Sequence, residues 1–478
     1  MKMRLWVLGM AVLMPAAQAF AQTDKIDEFI QREMAARKIP GLALAVLQNG
    51  KVAIQRAYGL ANLETETPVG TNSVFEIASM TKPFTATAIM MLVEEGKLGL
   101  DHPINRYIFQ APDPWKDITV RHLLSHTAGF PEQVIVGDGV SPLMDVSTLQ
   151  QLHFIENTPP LFRAGESAQY SDPGYFLLGM IIEQVSGKTY REFVRERIFD
   201  PLGMKSSAIL DQYRIVKNHV SPYMLRRGQL LKGRRDWQHE LPSFFGVLSS
   251  IEDLARWESA LAGGTLVKKA TLDRMWTPVV LDSGLEALVY FDPYGFGWKL
   301  GDFRGHRIVE HGGFSGTHML RFPDDGLTVI ILTNLDVSSN SRPENLARGV
   351  AGIVNPALQP PQSMEPQSDP SPQATQELRT MMADFAAGRD NSLMTPECRS
   401  ALSSVPPRAR QDLVRLVTGL KEFLFVGSDD AAGRGLTRTG SPVSRIVYCK
   451  GRQNEQTRIY TFWLTKEGKV AYWRPFSL

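Results

Sequence analysis

The stretch that most constrains the fold is Ser79-Met80-Thr81-Lys82 together with the apolar run behind it. From Phe84 to Val93 the residues are apolar or small almost all round, which predicts a helix buried on every side. Pro83 fits only in a first helical turn, so the helix must open close to Ser79, and Gly96 after Glu94-Glu95 is a natural stop. Ser79 and Lys82, three positions apart, then share one helix face about one turn from each other. That spacing brings an amine within reach of a hydroxyl, and a serine needs such a base before it becomes a useful nucleophile. The free N–H groups and positive dipole end of a helix start also favour negative charge developing there. Ser-x-x-Lys recurs by chance in many chains, so the other stretches must decide its meaning.

A chain of 478 residues exceeds one ordinary core and predicts two or more domains. Its start reads as a secretion signal over residues 1–21. Lys2 and Arg4 precede the apolar run Leu5 to Met14, and Ala19-Phe20-Ala21 offers a small-x-small cleavage site. The run is too short to span a membrane. Cleavage there leaves basic and acidic side chains equal in number, so neither nucleic acid nor an anionic membrane is an expected partner. The expected location is secreted or periplasmic. In an exported protein Cys398 and Cys449 could form one disulfide; two free, buried thiols are the alternative.

Asp24 to Arg37 places Ile26, Phe29, Ile30 and Met34 on one side of a helix. Gly41–Val46 and Val52–Tyr58 read as strands joined through Asn49-Gly50, a strong hairpin signal. Thr119 to Leu124 predicts a short helix leading to the turn Ser125 to Gly129, and most of the chain from there to Met204 reads helical. In Gln169-Tyr170-Ser171-Asp172-Pro173-Gly174, Asp172 is the expected N-cap of a helix ending at Gly187, which leaves Tyr170 on the preceding loop. Thr189-x-x-Glu192 forms a capping box, and a further helix is expected over Leu248–Ala262. Strand character returns at His306–His311, Thr317–Phe322 and Leu327–Asn334, with a glycine pair at Gly312-Gly313 that marks close approach of a backbone or ligand. The expected fold class is α+β: an antiparallel sheet flanked by helices with a mostly helical insert, over residues 22–355. Residues 356–375, rich in Pro, Gln and Ser, read as a linker. Residues 376–478 read as a small C-terminal α+β domain without a catalytic constellation.

Taken together, Ser79-x-x-Lys82, Tyr170-Ser171-Asp172 and His311-Gly312-Gly313 resemble, in order and spacing, the serine β-lactamase and penicillin-binding-protein superfamily. The branch is that of class C β-lactamases, D-aminopeptidases, DD-carboxypeptidases and related esterases. Supporting phrases are His122 to Gly129, Phe199 to Met204 and Tyr294-Gly-Phe-Gly-Trp298. The resemblance, over about residues 25–350, implies Ser79 as acylated nucleophile and Lys82 as its partner in proton transfer. It implies Tyr170 as a proton shuttle with a pKa lowered by cationic neighbours, and Asp172, His311, Gly312 and Gly313 as substrate-binding residues. The Ser79 and Phe314 backbone N–H groups would form the oxyanion site. The implied substrate is a small-molecule ester, D-amino-acid peptide or β-lactam, with no cofactor; no zinc-like ligand spacing is present, so no metal is expected.

Two departures bear on specificity. Asp172 stands where β-lactamases and peptidases commonly carry asparagine, exchanging an amide donor for a negative charge. His311 replaces a strand lysine, and a neutral imidazole holds a substrate carboxylate less firmly than an ammonium. Both weigh against a dedicated β-lactamase. Ser125-His126 reads as a structural turn rather than a catalytic pair, Gly313 to Thr317 fails the Gly-x-Ser-x-Gly pattern, and Glu94-Glu95 reads as a solvated helix end. The expectation is an exported serine hydrolase of esterase or D-peptidase type. A slow-acylating or non-catalytic peptidoglycan-fragment-binding protein, and a weak β-lactamase, are the alternatives.

Overall fold

The computed structural model describes residues 16–477 except 110, 134–144, 212, 234–237, 291, 362–364, 404–406, 434–435 and 454–455. The charged start and apolar run of the expected signal segment, up to residue 15, lie outside the described residues.

Alternation within one strand organises the core. In β1 (Gly41–Gln48), Leu42, Leu44 and Val46 enter one apolar cluster while Ala43, Ala45 and Leu47 enter another on the opposite face. Covered on both faces, β1 reads as a continuous apolar run. It pairs through Asn49-Gly50, both residues at positive φ, with β2 (Lys51–Asn62), which pairs in turn with the short β3 (Thr67–Pro68). On its other side β1 pairs with strands from the far end of the same domain, Leu42 lying opposite Thr333. With β4 (Lys299–Phe303), β5 (His306–Gly313), β6 (Thr317–Phe322) and β7 (Leu327–Thr333), the antiparallel seven-stranded sheet runs β4-β5-β6-β7-β1-β2-β3. The α+β class read from the sequence is the class observed.

One face is covered by α1 (Ala16–Arg37), through Ile26, Ile30 and Met34, and by α5 (Pro343–Val354), through Leu346 and Val350. Against the other lie α2 (Thr81–Glu94) and α4 (Ile251–Ala262), with α3 (Asp172–Ser186) packed behind α2. Helix α2 is buried from Thr81 to Leu92. Its threonines stay satisfied: Thr85 donates to the Ser243 carbonyl at 2.6 Å, and Thr81 accepts the Val247 N–H at 2.9 Å. Phe84 stacks on Trp257 of α4, with ring centroids 4.1 Å apart. Helix α4 starts three residues later than the sequence predicts. Val247–Ser249 instead pairs with Phe75–Glu76, and Ser250 caps the helix by accepting the Asp253 N–H at 3.2 Å.

Beyond Leu358, α6 (Pro372–Ala386) begins inside the expected linker, with proline in its first turn. It is followed by α7 (Pro396–Ser403), α8 (Pro407–Val417) and the antiparallel strands β8 (Glu422–Asp430), β9 (Arg445–Gln453), β10 (Gln456–Leu464) and β11 (Val470–Ser477). The helices pack on one sheet face through Met381, Phe385 and Leu402 against Phe462 and Trp473. Cys398 and Cys449 share that core as two free thiols. Among the described residues no helix is long and apolar enough to cross a membrane.

Because Phe84 bridges α2 and α4 from a fully buried position, Phe84→Ala is expected to destabilise the domain by about 3–5 kcal/mol. Urea unfolding followed by tryptophan fluorescence checks this, Trp257 being its stacking partner.

Candidate active site

Ser79 sits in the 3-10 turn Ala78–Met80 directly ahead of α2. Ala78 adopts φ +46, an unfavourable conformation for a residue with a Cβ, so the nucleophile candidate is presented on a tight, strained corner. What holds the corner is β5. A Cβ on Gly313 would stand 2.1 Å from the Ile77 carbonyl oxygen, so only glycine lets the strand end lie against the backbone before Ser79. Thr317 adds a hydrogen bond to that same carbonyl at 3.1 Å, and Ser315 donates to the carbonyl of Glu76. The close approach expected at Gly312-Gly313 is an approach of backbone to backbone.

Lys82, one turn into the buried helix, has no solvent exposure. Its ammonium donates to Ser79 Oγ at 3.1 Å, to Asp172 Oδ1 at 2.6 Å and to the Phe244 carbonyl at 3.1 Å, three acceptors for three N–H groups. The Tyr170 ring lies under the charge, with Nζ 4.6 Å from its centroid. Burial pulls the Lys82 pKa down, and the carboxylates of Asp172 and Glu132 oppose that fall.

Asp172 reaches Lys82 because the helix cap falls one residue earlier than expected. Ser171, in an extended conformation, is the N-cap and accepts the Gly174 N–H at 3.2 Å. Asp172 is therefore the first helical residue, its carboxylate free to turn inward as the lysine's counter-ion.

Tyr170 is half-buried on the loop before α3, its ring against the Lys82 ammonium and its phenol close enough to the Ser79 hydroxyl for that hydroxyl to pull its pKa down. Its phenol is not the lowered one that the resemblance implies. Burial, reinforced by the Asp172 and Glu132 carboxylates, pushes its pKa well above the usual tyrosine value. The nearby cation is neutralised by Asp172, and the Ser79 hydroxyl, which favours a phenolate, does not offset the burial.

His311 lies 6.4 Å from Tyr170, ring centre to ring centre. Its Nδ1 is 2.8 Å from the Gly312 carbonyl, which can only accept, so Nδ1 carries the proton and Nε2 accepts from the Tyr294 phenol at 3.1 Å. Burial and the Lys82 charge bring its pKa down to about 3, which leaves it neutral. Phe314, at the turn after β5, is 62% exposed at the mouth. Among the described residues no group of His, Cys, Asp or Glu side chains could hold a metal ion.

Several residues around the site were not singled out from the sequence. Phe244 contributes only a carbonyl, which no side-chain pattern announces. Tyr290 packs its tilted ring 5.3 Å from Tyr170 and donates to Glu132, whose backbone carbonyl accepts the Asp172 N–H at 3.0 Å. His126, read as part of a structural turn, accepts the Ser171 N–H on Nδ1 at 3.0 Å and packs 4.4 Å from Tyr170 and 4.7 Å from Tyr294. Ser125 instead donates to the Arg121 carbonyl at 2.8 Å, so the two neighbours form no pair. Glu94 accepts the Lys268 N–H, and Glu95 pairs with Lys97 and Arg197.

The neutral His311 makes stability acid-sensitive. Unfolded, it takes up a proton near pH 6.5; folded, not until about pH 3, so across that window stability falls as pH falls. His311→Gln is expected to flatten the slope by up to roughly 1.4 kcal/mol per pH unit, measured as urea midpoints between pH 6.5 and pH 4.

Comparison with known proteins agrees with this architecture. The family model described as Beta-lactamase matches residues 26–352. Penicillin-binding protein 4* of Bacillus subtilis (strain 168) is 32% identical over 313 residues, covering 62% of this chain and 68% of that protein. Protein flp of Staphylococcus aureus (strain MW2) is 25% identical over 326 residues, 66% of this chain and 63% of the relative. The chain thus spans somewhat under two thirds of that relative's length. Among solved structures, the octameric penicillin-binding protein homologue from Pyrococcus abyssi shares the fold at a TM-score of 0.61 and 23% identity, over 93% of this chain and 96% of that one. EstCE1, described as a hydrolase with promiscuous acyltransferase activity, aligns at 0.61 and 21% identity over 70% of this chain and 99% of its own. D-amino acid amidase from Ochrobactrum anthropi SV3 aligns at 0.60 and 24% over 71% and 97%. The chain belongs to the beta-lactamase family, within the superfamily of serine β-lactamases and penicillin-binding proteins and their serine-hydrolase relatives.

Proposed function

We propose that this protein is an exported serine hydrolase that forms an acyl-enzyme on Ser79 from an ester or amide without a carboxylate beside the scissile carbonyl. The observation that carries the reading is the Ser79 hydroxyl accepting from Lys82 Nζ at 3.1 Å, with the Tyr170 ring packed 4.6 Å from that same Nζ. Burial moves these two groups in opposite directions, Lys82 towards a neutral amine and Tyr170 towards a protonated phenol. Such a split assigns base and acid. In acylation Ser79 Oγ bonds to the substrate carbonyl carbon while its proton passes to Lys82 in the enzyme form whose ammonium has given up a proton, and the leaving atom takes the Tyr170 proton. In deacylation water attacks the acyl carbon and gives its proton to Tyr170, and Ser79 recovers its own from Lys82. The Ser79 and Phe314 N–H groups supply the oxyanion donors in this reading.

The surroundings set the substrate class. His311 is neutral and already occupied by Gly312 and Tyr294, and the other charges near Lys82 are the carboxylates of Asp172 and Glu132. A substrate carboxylate finds no cation there, which disfavours β-lactams. Neutral esters and D-amino-acid amides or peptides with a free amine suit it better, in line with the hydrolase with acyltransferase activity and the D-amino acid amidase among its structural neighbours. Export rests on Lys2, Arg4, the apolar run and Ala19-Phe20-Ala21.

A short-chain p-nitrophenyl ester tests the chemistry: wild type is expected to turn over, and Ser79→Ala to lose at least about a thousandfold in kcat. Equal rates would exclude Ser79 as nucleophile, and inactivity of both would favour a binding protein. Asp172→Asn removes a charge that raises the Lys82 pKa, so the acidic limb of the kcat/KM profile is expected to move to lower pH. A limb that stays in place would count against Lys82 as the base.

A further inference from the structure

The C-terminal domain touches the wall of the active site. The hairpin strands Leu288–Val289 and Asp292–Pro293 carry Tyr290 at their turn and lead directly into Tyr294. Tyr290, at φ +50, packs its tilted ring against Tyr170 and donates to Glu132. Tyr294, 1% exposed, donates to His311 and packs on His126. One hairpin thus supplies two phenols to the site.

What fixes the hairpin is Asp292, 5% exposed. Its carboxylate pairs with Arg474, on β11 of the C-terminal domain, and with Lys299, on the sheet-edge strand β4, at 2.5 Å. Leu288 packs against the outer apolar face of the C-terminal sheet, formed by Val426, Ile446, Trp463 and Tyr472. A buried carboxylate that loses its guanidinium is strongly unfavourable, and a short hairpin relieves that cost by moving. Elsewhere the two domains meet along β4 and the turn after it. Asp302 takes Arg438 and the Trp463 N–H, and Arg304 forks onto Asp429 at 2.6 and 2.7 Å.

We propose that the C-terminal domain braces the active-site wall through Arg474, making Arg474 a positioning residue for the acyl-transfer reaction. The proposal rests on the acyl-serine reading, because it concerns groups arranged around Ser79 and Tyr170. It gives the C-terminal domain a part in the chemistry without a residue that meets the substrate.

The test compares full-length wild type, Arg474→Met, Arg474→Lys and Arg304→Met by thermal unfolding and by kcat and KM on a p-nitrophenyl ester. In folded Arg474→Met, kcat/KM is expected to fall tenfold or more, with both a lower kcat and a higher KM. Arg474→Lys keeps a cation from the C-terminal domain on Asp292 beside Lys299, and should recover to within threefold of wild type. Arg304→Met weakens domain docking away from the hairpin and should stay within twofold. Arg474→Met at wild-type efficiency overturns the brace, as does an equal loss in Arg304→Met or a lysine variant no better than methionine. If Arg474→Met does not fold, Tyr294→Phe reads the same link from the other end. A fivefold or larger loss is expected there, and unchanged kinetics overturn the proposal. A wild type inert towards every ester tried sinks the underlying reading, whereas an active wild type beside an unimpaired Arg474→Met sinks the brace alone.

Discussion

A fully buried ammonium is the constraint on which the rest of the structure depends. Lys82 points into the protein from a helix that is itself buried, where an unpaired charge would cost several kcal/mol. It is tolerated because its three N–H groups meet three acceptors, drawn from the turn ahead of its own helix, from the start of α3 and from the loop at Phe244. Those elements are far apart in the chain, so the charge is satisfied only when the sheet, α2 and α3 are all in place. Folding and assembly of the site are then one event. The position of Asp172 follows from the same requirement. An asparagine could cap or accept a hydrogen bond there, but only a carboxylate cancels the charge, and the same carboxylate adds to burial in holding Tyr170 protonated.

The sequence carried what is local. The apolar run after Lys82, the Asn49-Gly50 turn and the Thr189/Glu192 capping box depend on neighbours within a few residues, and each appears where its pattern placed it. The three-residue spacing likewise puts Lys82 against Ser79. What depends on approach through space was not legible. Either Ser171 or Asp172 caps a helix acceptably, and the choice went to Ser171 because Asp172 has a partner ninety residues away. The direction of the Tyr170 shift is hidden for the same reason: sequence announces a lysine nearby but not that a carboxylate cancels its charge. The resemblance implies an Asp172 that meets substrate, and sequence does not show that one of its oxygens pairs with Lys82. Tyr290 and the Phe244 carbonyl carry no signature at all, being defined only by where their loops return, and the phrase that begins at Tyr294 supports the resemblance without announcing its bond to His311.

The two-domain arrangement answers a problem the catalytic domain cannot solve alone. Its sheet ends at β4, and an open edge strand is a template for unwanted pairing. The C-terminal domain lies alongside that edge, with the buried Asp302 and the half-buried Arg304 engaging Arg438, Trp463 and Asp429 rather than another strand. Side-chain charge pairs of this kind fix orientation more than they add stability, since each must first be taken out of water. That is the property needed next to a catalytic centre. A purely apolar contact could slide by an ångström at little cost, and the Tyr294–His311 hydrogen bond at 3.1 Å would not survive such a shift. A chain of charges from Arg474 through Asp292 and Lys299 towards Glu310, the residue before His311, ties the outer domain to the strand that lines the site. Covering an edge and holding a wall are here the work of one interface.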